Sequence, residues 1–142
     1  MTPTVRQMLQ GKPVVHAVRP GDTVYEALRL MADKNIGAVL VRSGDQIEGI
    51  LSERDYARKV ILLGKTSKET LVSEIMTTEV ISVDPGWTAA QCMSLMTERH
   101  VRHLPVVEED RLVGIISIGD VVRAVVDAQQ FTISSLERYI AT

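Results

Sequence analysis

The chain has 142 residues, of which 45% are hydrophobic but only 4% aromatic, so aliphatic side chains must fill any core. The formal net charge of −2 argues against a general nucleic-acid binder, because such proteins usually carry a basic excess. The single Cys92 cannot form an intramolecular disulfide, and no apolar run approaches the roughly 20 residues that span a bilayer. Residues 1–10 also lack the apolar region of a signal peptide. We therefore expect a soluble cytoplasmic protein.

The chain contains a long internal repeat. The run from Gly49 to Asp55 returns as the run from Gly114 to Asp120, with a constant spacing of 65 residues (49 to 114, 55 to 120). The same spacing aligns identical residues at turn, helix and strand positions, namely Pro20/Pro85, Gly21/Gly86, Met31/Met96, Val41/Val106 and Arg58/Arg123. A period of this length is enough for each copy to be a small folded unit.

Hydrophobic spacing and turn residues predict the same elements in both copies. The first copy reads as helix, strand, helix, strand, strand and helix, at 3–10, 14–18, 23–35, 37–41, 46–51 and 52–63. A linker at 64–68 leads to the second copy, which repeats the plan up to a helix that opens at Ser117. A further helix is predicted at 130–140, where Phe131 and Tyr139 either contact a partner or cap the chain's own core.

These elements divide the chain into a first domain at 1–66, a second at 67–128 and a helical tail at 129–142. Each domain is a β-α-β-β-α unit of the α/β (α+β) class, with a three-stranded sheet and helices on one face. Two such units packed sheet to sheet about a pseudo-twofold axis would bury both sheet faces. The arrangement would leave two symmetry-related clefts at the ends of the Gly-to-Asp runs, facing helix N-termini, where anionic ligands bind.

The repeated run is a strand that ends in Gly-apolar-apolar-Ser-x-x-Asp and leads into a helix, and the second copy precedes it with Val101-Arg102-His103-Leu104-Pro105-Val106. This pattern resembles a pair of cystathionine-β-synthase-type (CBS) domains, also called a Bateman module, over about Val5 to Val126. The resemblance implies a stand-alone regulatory protein, not an enzyme, that forms a homodimer and acts on a protein target. It also implies an adenosyl ligand in the clefts, for which AMP is our first choice and NAD our second, with ADP and ATP as further options.

By the same resemblance, Asp55 and Asp120 bind the ribose hydroxyls, and Ser52 and Ser117 lie beside the ribose or the phosphate. These four residues also have a sufficient structural explanation. A serine at the N-cap with an acidic residue three positions later forms a capping box at the start of a helix.

Basic residues near the two motifs are the predicted phosphate contacts. Arg102 and His103 would bind phosphate in one site, whereas the first copy has Gly37 and Ala38 at that place. The other site would use Arg54 and Arg58 instead, so the two sites are expected to be unequal. Exposed surface charge is the alternative interpretation, and for Arg58 it is the favoured one.

The adenine is expected among apolar strand residues. The resemblance implies nine contacts: Val15, His16, Ile36 and Ala38 for the Asp120 cleft, Val80, Ile81 and Val101 for the Asp55 cleft, and Ile50 and Ile115 each for its own copy's cleft. Ordinary core packing is the alternative for each apolar member of this set.

Other classes of function find less support in the sequence. His100-x-x-His103 has no cysteine or carboxylate at ligand spacing beside it, so no metal site is expected. A nucleotide-acting enzyme is the main alternative, but the sequence has no Gly-x-x-x-x-Gly-Lys phosphate loop. A structural or nucleic-acid-binding module is the other alternative, which the net charge disfavours. Cys92 is expected to be a buried structural thiol.

Overall fold

We describe the protein from a computed structural model, in which the described residues are 2–12 and 15–141. In chain order the elements are α1 (Val5–Leu9), β1 (Ala17–Val18), α2 (Val24–Lys34), β2 (Ala38–Ser43), β3 (Gln46–Ser52), α3 (Glu53–Tyr56), α4 (Val72–Ile75), α5 (Ala89–Arg99), β4 (His103–Glu108), β5 (Arg111–Ser117) and α6 (Ile118–Ala141). A π-helical turn, Ala57–Ile61, continues α3. The predicted strand at 14–18 is observed at its end, as β1, and residue 14 lies outside the described part of the chain.

The chain folds into two compact units, and their boundaries differ from the linear division made from the sequence at 1–66, 67–128 and 129–142. The central unit consists of residues 15–80, and the terminal unit combines the N-terminal segment with residue 81 onward. The difference is explained by the short helix that stands before each copy in the sequence, α1 or α4, which we call its leading helix. The backbone N–H of Val5, in α1, donates to the carbonyl of Trp87 at 2.8 Å, whereas that of Val72, in α4, donates to Asp22 at 2.8 Å. Each leading helix therefore packs on the other copy: α1, which precedes the first copy, packs on the second, and α4, which precedes the second, packs on the first.

The central unit contains a three-stranded sheet in the order β1-β2-β3. β1 pairs with β2 in parallel and β2 pairs with β3 antiparallel, with Leu40 opposite Ile50. Thr23 caps the N-terminus of α2, and Asn35 ends it in the left-handed conformation at φ 54°, as its turn chemistry predicts. The core beneath the sheet is aliphatic and includes Val24, Met31, Val39, Leu51, Val60 and Val72.

The terminal unit has a smaller sheet than the sequence predicts. Among its described residues only β4 and β5 form a ladder, and the expected first strand is reduced to a parallel bridge between Val83 and Val106. In the central unit the N–H of Leu40 donates to the carbonyl of His16 and extends β1. Pro105 stands at the position equivalent to Leu40 and has no N–H, so this extension cannot form. The prediction of three strands in the second copy was wrong for this reason.

The C-terminal helix is longer than predicted. A helix starting near Ser117 and a separate helix at 130–140 were expected, but α6 runs without a break from Ile118 to Ala141. The residues just before the second predicted helix are Asp127, Ala128 and Gln129, and they include no glycine or proline that would end a helix. Val121 on α6 is fully buried and fixes the first half of the helix to the core of the terminal unit.

The repeated glycines allow each leading helix to lie against a strand. A Cβ atom on Gly49 would lie 2.7 Å from the carbonyl oxygen of Thr77, which follows α4. A Cβ atom on Gly114 would lie 2.5 Å from Cδ2 of Leu9, at the end of α1. Both contacts are too short for a side chain, so the glycines of the two motifs have a packing role next to the strand ends.

Candidate functional site

The strand-to-helix junction of the central unit holds Asp55 in a fixed position. The carboxylate Oδ2 of Asp55 accepts from the backbone N–H of Ser52 at 3.0 Å and from its hydroxyl at 3.1 Å. In return, the N–H of Asp55 donates to Oγ of Ser52 at 3.2 Å. The predicted capping box is therefore present, and the Asp55 side chain is 15% exposed.

The second oxygen of Asp55 faces weaker partners. Lys59 Nζ lies 3.2 Å from Oδ1, and the hydroxyl of Thr77 donates to the same oxygen at 3.5 Å. Lys59 also donates to the carbonyl of Ile75 at 3.0 Å, and its side chain is 43% exposed. These contacts are long or solvent-accessible, so Oδ1 is the more available of the two oxygens for a ligand hydroxyl.

Asp120 occupies the equivalent junction of the terminal unit and is held more tightly. Its Oδ2 accepts from the N–H of Ser117 at 2.8 Å and from Lys12 Nζ at 2.5 Å. Its Oδ1 accepts from Arg123 at 2.7 Å, while the N–H of Asp120 donates to Oγ of Ser117 at 3.1 Å. Both carboxylate oxygens are thus engaged by a cation, and the side chain is 13% exposed.

Besides Arg123, Lys12 is the residue of this site that the sequence interpretation missed. Its ammonium also donates to the carbonyl of Ile115 at 2.8 Å. In the central unit the equivalent carbonyl, of Ile50, accepts from the backbone N–H of Thr77 at 2.9 Å. The 65-residue spacing aligns Lys12 with Thr77, and this was the available signal, but it requires α1 to pack on the second copy. Lys12 therefore provides by side chain what the backbone provides in the central unit.

The charges around Asp120 shift two pKa values. Burial raises the pKa of Asp120, but the hydrogen bonds from Lys12 and Ser117 outweigh it, and the net pKa lies below its usual 3.8. Burial lowers the pKa of His103 below its usual 6.5; Asp120 opposes this shift, whereas Lys12 and Arg102 add to it. At neutral pH His103 is therefore a neutral ring that can donate or accept a hydrogen bond.

The predicted phosphate contacts Arg102 and His103 lie beside the strand and helix ends that carry Ser117 and Asp120. His103 begins β4 directly opposite Ser117 of β5, so His103, Ser117 and Asp120 belong to one edge of the terminal unit. Arg102 is exposed, and its carbonyl accepts from the N–H of Ile118 at 2.8 Å, which fixes its backbone at the start of α6. A phosphate contact by Arg102 or His103 stays a prediction.

Arg54 and Arg58 are both exposed, on α3 and on the π-helical turn that follows it. The cation that contacts Asp55 is Lys59, whereas Asp120 is contacted by Arg123, the repeat equivalent of Arg58. The cations at the two carboxylates therefore differ: Lys59 at Asp55, and Lys12 and Arg123 at Asp120. The predicted difference in phosphate contacts stays a prediction. The phosphate roles of Arg54 and Arg58 stay predictions.

The residues expected around the adenine belong to both units. Ala38 is buried, and the others are half-buried: Val15, His16, Ile36, Ile50 and Val80 in the central unit, and Ile81, Val101 and Ile115 in the terminal unit. Ile36, Ile81 and Val101 also pack against the aliphatic cores. A role in base binding stays a prediction for all nine.

Cys92 lies on α5 and is fully buried, as expected. Burial raises the pKa of its thiol to about 11, so it is a thiol and not a reactive thiolate at neutral pH. Within residues 2–12 and 15–141 the structure groups no three histidine, cysteine or acidic side chains as metal ligands. No helix of that part of the chain is long and apolar enough to cross a membrane.

The fold and the doubled motif define the class of protein. The CBS domain family model matches residues 5–61 and 72–127, and the chain belongs to this family as a tandem pair. The resemblance seen in the sequence is thereby confirmed.

Individual relatives support the same assignment. The chain is 45% identical over 124 residues to the CBS domain-containing protein CBSX3, mitochondrial, of Arabidopsis thaliana, a match that covers 84% of this chain and 60% of the plant protein. A solved structure of a CBS-domain protein from Burkholderia ambifaria MC40-6 is 52% identical, with a TM-score of 0.86, and covers 92% of this chain and 98% of its own. The hexameric CBS-CP12 protein from bloom-forming cyanobacteria is 28% identical, with a TM-score of 0.75, and covers 86% of this chain and 71% of its own.

Proposed function

We propose that the chain is a non-catalytic regulatory module that binds an adenine nucleotide, with AMP as the first candidate and NAD as the second. Tandem CBS domains are regulatory modules that typically bind adenosine ligands, and both domains are present here. The observation that carries the proposal is the pair of capping boxes. Each one holds a carboxylate, Asp55 or Asp120, at the end of a strand with one oxygen directed away from the cap.

The contacts of these carboxylates support two sites of unequal affinity. A ribose hydroxyl that approaches Oδ1 of Asp55 competes with Lys59 at 3.2 Å and Thr77 at 3.5 Å. A hydroxyl that approaches Oδ1 of Asp120 must displace Arg123 at 2.7 Å. Because Arg123 is 71% exposed, the pair that is lost is worth about 1 kcal/mol or less. We therefore propose that the Asp55 site binds first and the Asp120 site more weakly.

Lys12 favours a phosphorylated ligand in the Asp120 site. Its ammonium is bonded to Oδ2 and to the carbonyl of Ile115, so it stays in place when a ligand hydroxyl displaces Arg123 from Oδ1. The half-buried ammonium lies in the same part of the unit as His103, whose pKa it helps to lower. A phosphate beside the ribose would gain from this charge, whereas adenosine would not.

Assembly and location are the further parts of the proposal. CBS-pair proteins form oligomers, as the hexameric cyanobacterial neighbour does, and we propose a homodimer for this chain, acting on a protein target. We also propose a cytoplasmic location, although the plant relative is named as mitochondrial.

A thermal-unfolding panel tests the ligand. The protein is heated with AMP, ADP, ATP, NAD, S-adenosylmethionine and adenosine in separate samples, and a ligand at about 100 times its Kd adds roughly 2.7 kcal/mol of apparent stability. We expect AMP to raise the Tm by several degrees and adenosine to raise it less. A Tm unchanged by every adenosyl ligand would overturn the proposed function and leave the fold as described.

A further inference from the structure

The outer face of α6 carries an exposed apolar stripe. The inner face of the helix is buried through Val121 and packs on the core of the terminal unit. On another face five aliphatic side chains are between 44% and 81% exposed, namely Val122, Val126, Ile133, Leu136 and Ile140. Such a row of exposed side chains on one helix indicates an interaction surface.

The stripe has the spacing of a coiled-coil seam. Together with Gln129, its positions are separated alternately by four and three residues: 122, 126, 129, 133, 136 and 140. Val126, Ile133 and Ile140 fall on the first core position of the heptad and are β-branched. Val122, Gln129 and Leu136 fall on the second. Apolar residues at this spacing pack between helices, and a single polar core residue such as Gln129 fixes the register at some cost in stability.

We propose that this seam pairs α6 with α6 of a second copy of this chain, in antiparallel orientation, about a twofold axis near Phe131. The seam is self-complementary in that arrangement, as an isologous interface requires. Its layers are Val122 with Ile140, Val126 with Leu136, and Gln129 with Ile133, each formed twice. Two copies of this chain therefore supply both residues of every layer.

The charges beside the seam favour the antiparallel orientation. Arg123 follows Val122, and Glu137 follows Leu136, so antiparallel pairing brings Arg123 of one copy beside Glu137 of the other, at both ends of the seam. Parallel pairing would instead place Gln129 against Gln129 in one core layer and leave Arg123 and Glu137 about four helical turns apart. Charges that flank the core set the orientation of helix pairs.

Molar-mass measurement by light scattering tests the seam. We expect the wild-type chain, of 15.7 kDa, to form a dimer or a larger even-numbered assembly. Ile133→Glu and Leu136→Glu place charges in the seam and should raise the dissociation constant at least about tenfold. Ser135→Glu adds the same charge at an exposed position outside the seam, as a matched control, and should leave the mass unchanged. Circular dichroism verifies that all variants stay folded.

Cysteine cross-linking tests the orientation. Thr132 lies one residue from the proposed axis, so Thr132→Cys should link two antiparallel chains on mild oxidation, whereas Val126→Cys would link parallel chains. The native Cys92 is buried and serves as an internal background. A monomeric wild type, a mass unaffected by both seam substitutions, or cross-linking through Val126→Cys alone would overturn the proposal. This inference does not depend on nucleotide binding.

Discussion

At the scale of single residues, the two motif aspartates have the same local structure but different electrostatic surroundings. Within the described part of the chain, Asp55 is paired with one cation, Lys59, on its own helical segment. Asp120 has two, and one of them, Lys12, is 108 positions away in sequence. The repeat therefore conserves the capping box within this chain but not the charge balance of the site.

Lys12→Met should destabilise the terminal unit. The change leaves Asp120 half-buried with one hydrogen-bonded cation fewer, and a hydrogen bond to a charged group is worth about 1.5–3 kcal/mol. Lys59→Met is the matched control in the central unit, where the more exposed pair should cost less than about 1 kcal/mol. Urea unfolding measures both. Equal losses of unfolding free energy in the two variants would contradict the claim that Lys12 makes the stronger and less exposed contact.

The same ion pair predicts a pH dependence. The folded pKa of Asp120 lies below its unfolded value near 3.8, so this stabilisation is complete above that value and is lost as the pH falls through the folded pKa. We expect the stability difference between wild type and Lys12→Met to shrink below about pH 4. Unfolding curves from pH 7 to pH 3 measure it, with Asp120→Asn as a control that removes the titrating group. A difference that stays constant over this range would contradict the assignment.

At the scale of elements, most boundaries could be predicted from local chemistry, and the misses have long-range causes. Thr4, Thr23 and Ser52 cap helices as their sequence positions indicate. The lost strand of the terminal unit depends on Pro105, a residue of the neighbouring strand, and not on the segment itself. Both leading helices bury an apolar residue, Val5 or Val72, so spacing alone could not assign them to a copy.

The glycine contacts give a prediction at this scale. Gly49→Ala drives a methyl group against the carbonyl of Thr77, which is backbone and cannot easily move, so we expect a cost of about 1–3 kcal/mol. Gly114→Ala meets only the end of the flexible Leu9 side chain and should cost less. Chemical denaturation measures both, and Leu9→Ala should relieve Gly114→Ala in a double variant. A larger cost at Gly114 than at Gly49 would contradict the packing described.

At the scale of the whole molecule, Arg123 connects the two proposals. Its guanidinium bonds Asp120 and also lies beside the α6 seam. A ribose that displaces Arg123 from Asp120 would free it to pair with Glu137 of the second copy. Ligand binding and self-association would then be linked, and each would strengthen the other by the same factor.

This linkage gives a measurable effect of ligand on assembly. We expect AMP to lower the dissociation constant of the dimer by up to about thirtyfold, because two exposed ion pairs form and each is worth at most about 1 kcal/mol. Sedimentation velocity with and without AMP measures it. Glu137→Gln removes the pairing group without touching the site, so it should abolish the effect. An equal effect of AMP on the variant would refute a link through Arg123.

The sequence predicted the family, the repeat and the paired carboxylates, because these are properties of contiguous motifs. It did not predict that α1 packs on the second copy, and for that reason it missed Lys12 at Asp120. In the sequence, Lys12 and Asp120 lie on either side of the central unit. Only the folded chain shows which side chain completes each site.

Isothermal titration with AMP is the most direct test of nucleotide binding. The wild type is compared with Asp55→Asn, Asp120→Asn and the double variant, since asparagine keeps a cap oxygen but removes the charge. We predict binding to the wild type, a larger loss of affinity for Asp55→Asn than for Asp120→Asn, and none detectable for the double variant. Binding of AMP to the double variant with wild-type affinity, or no binding to the wild type, would contradict the account.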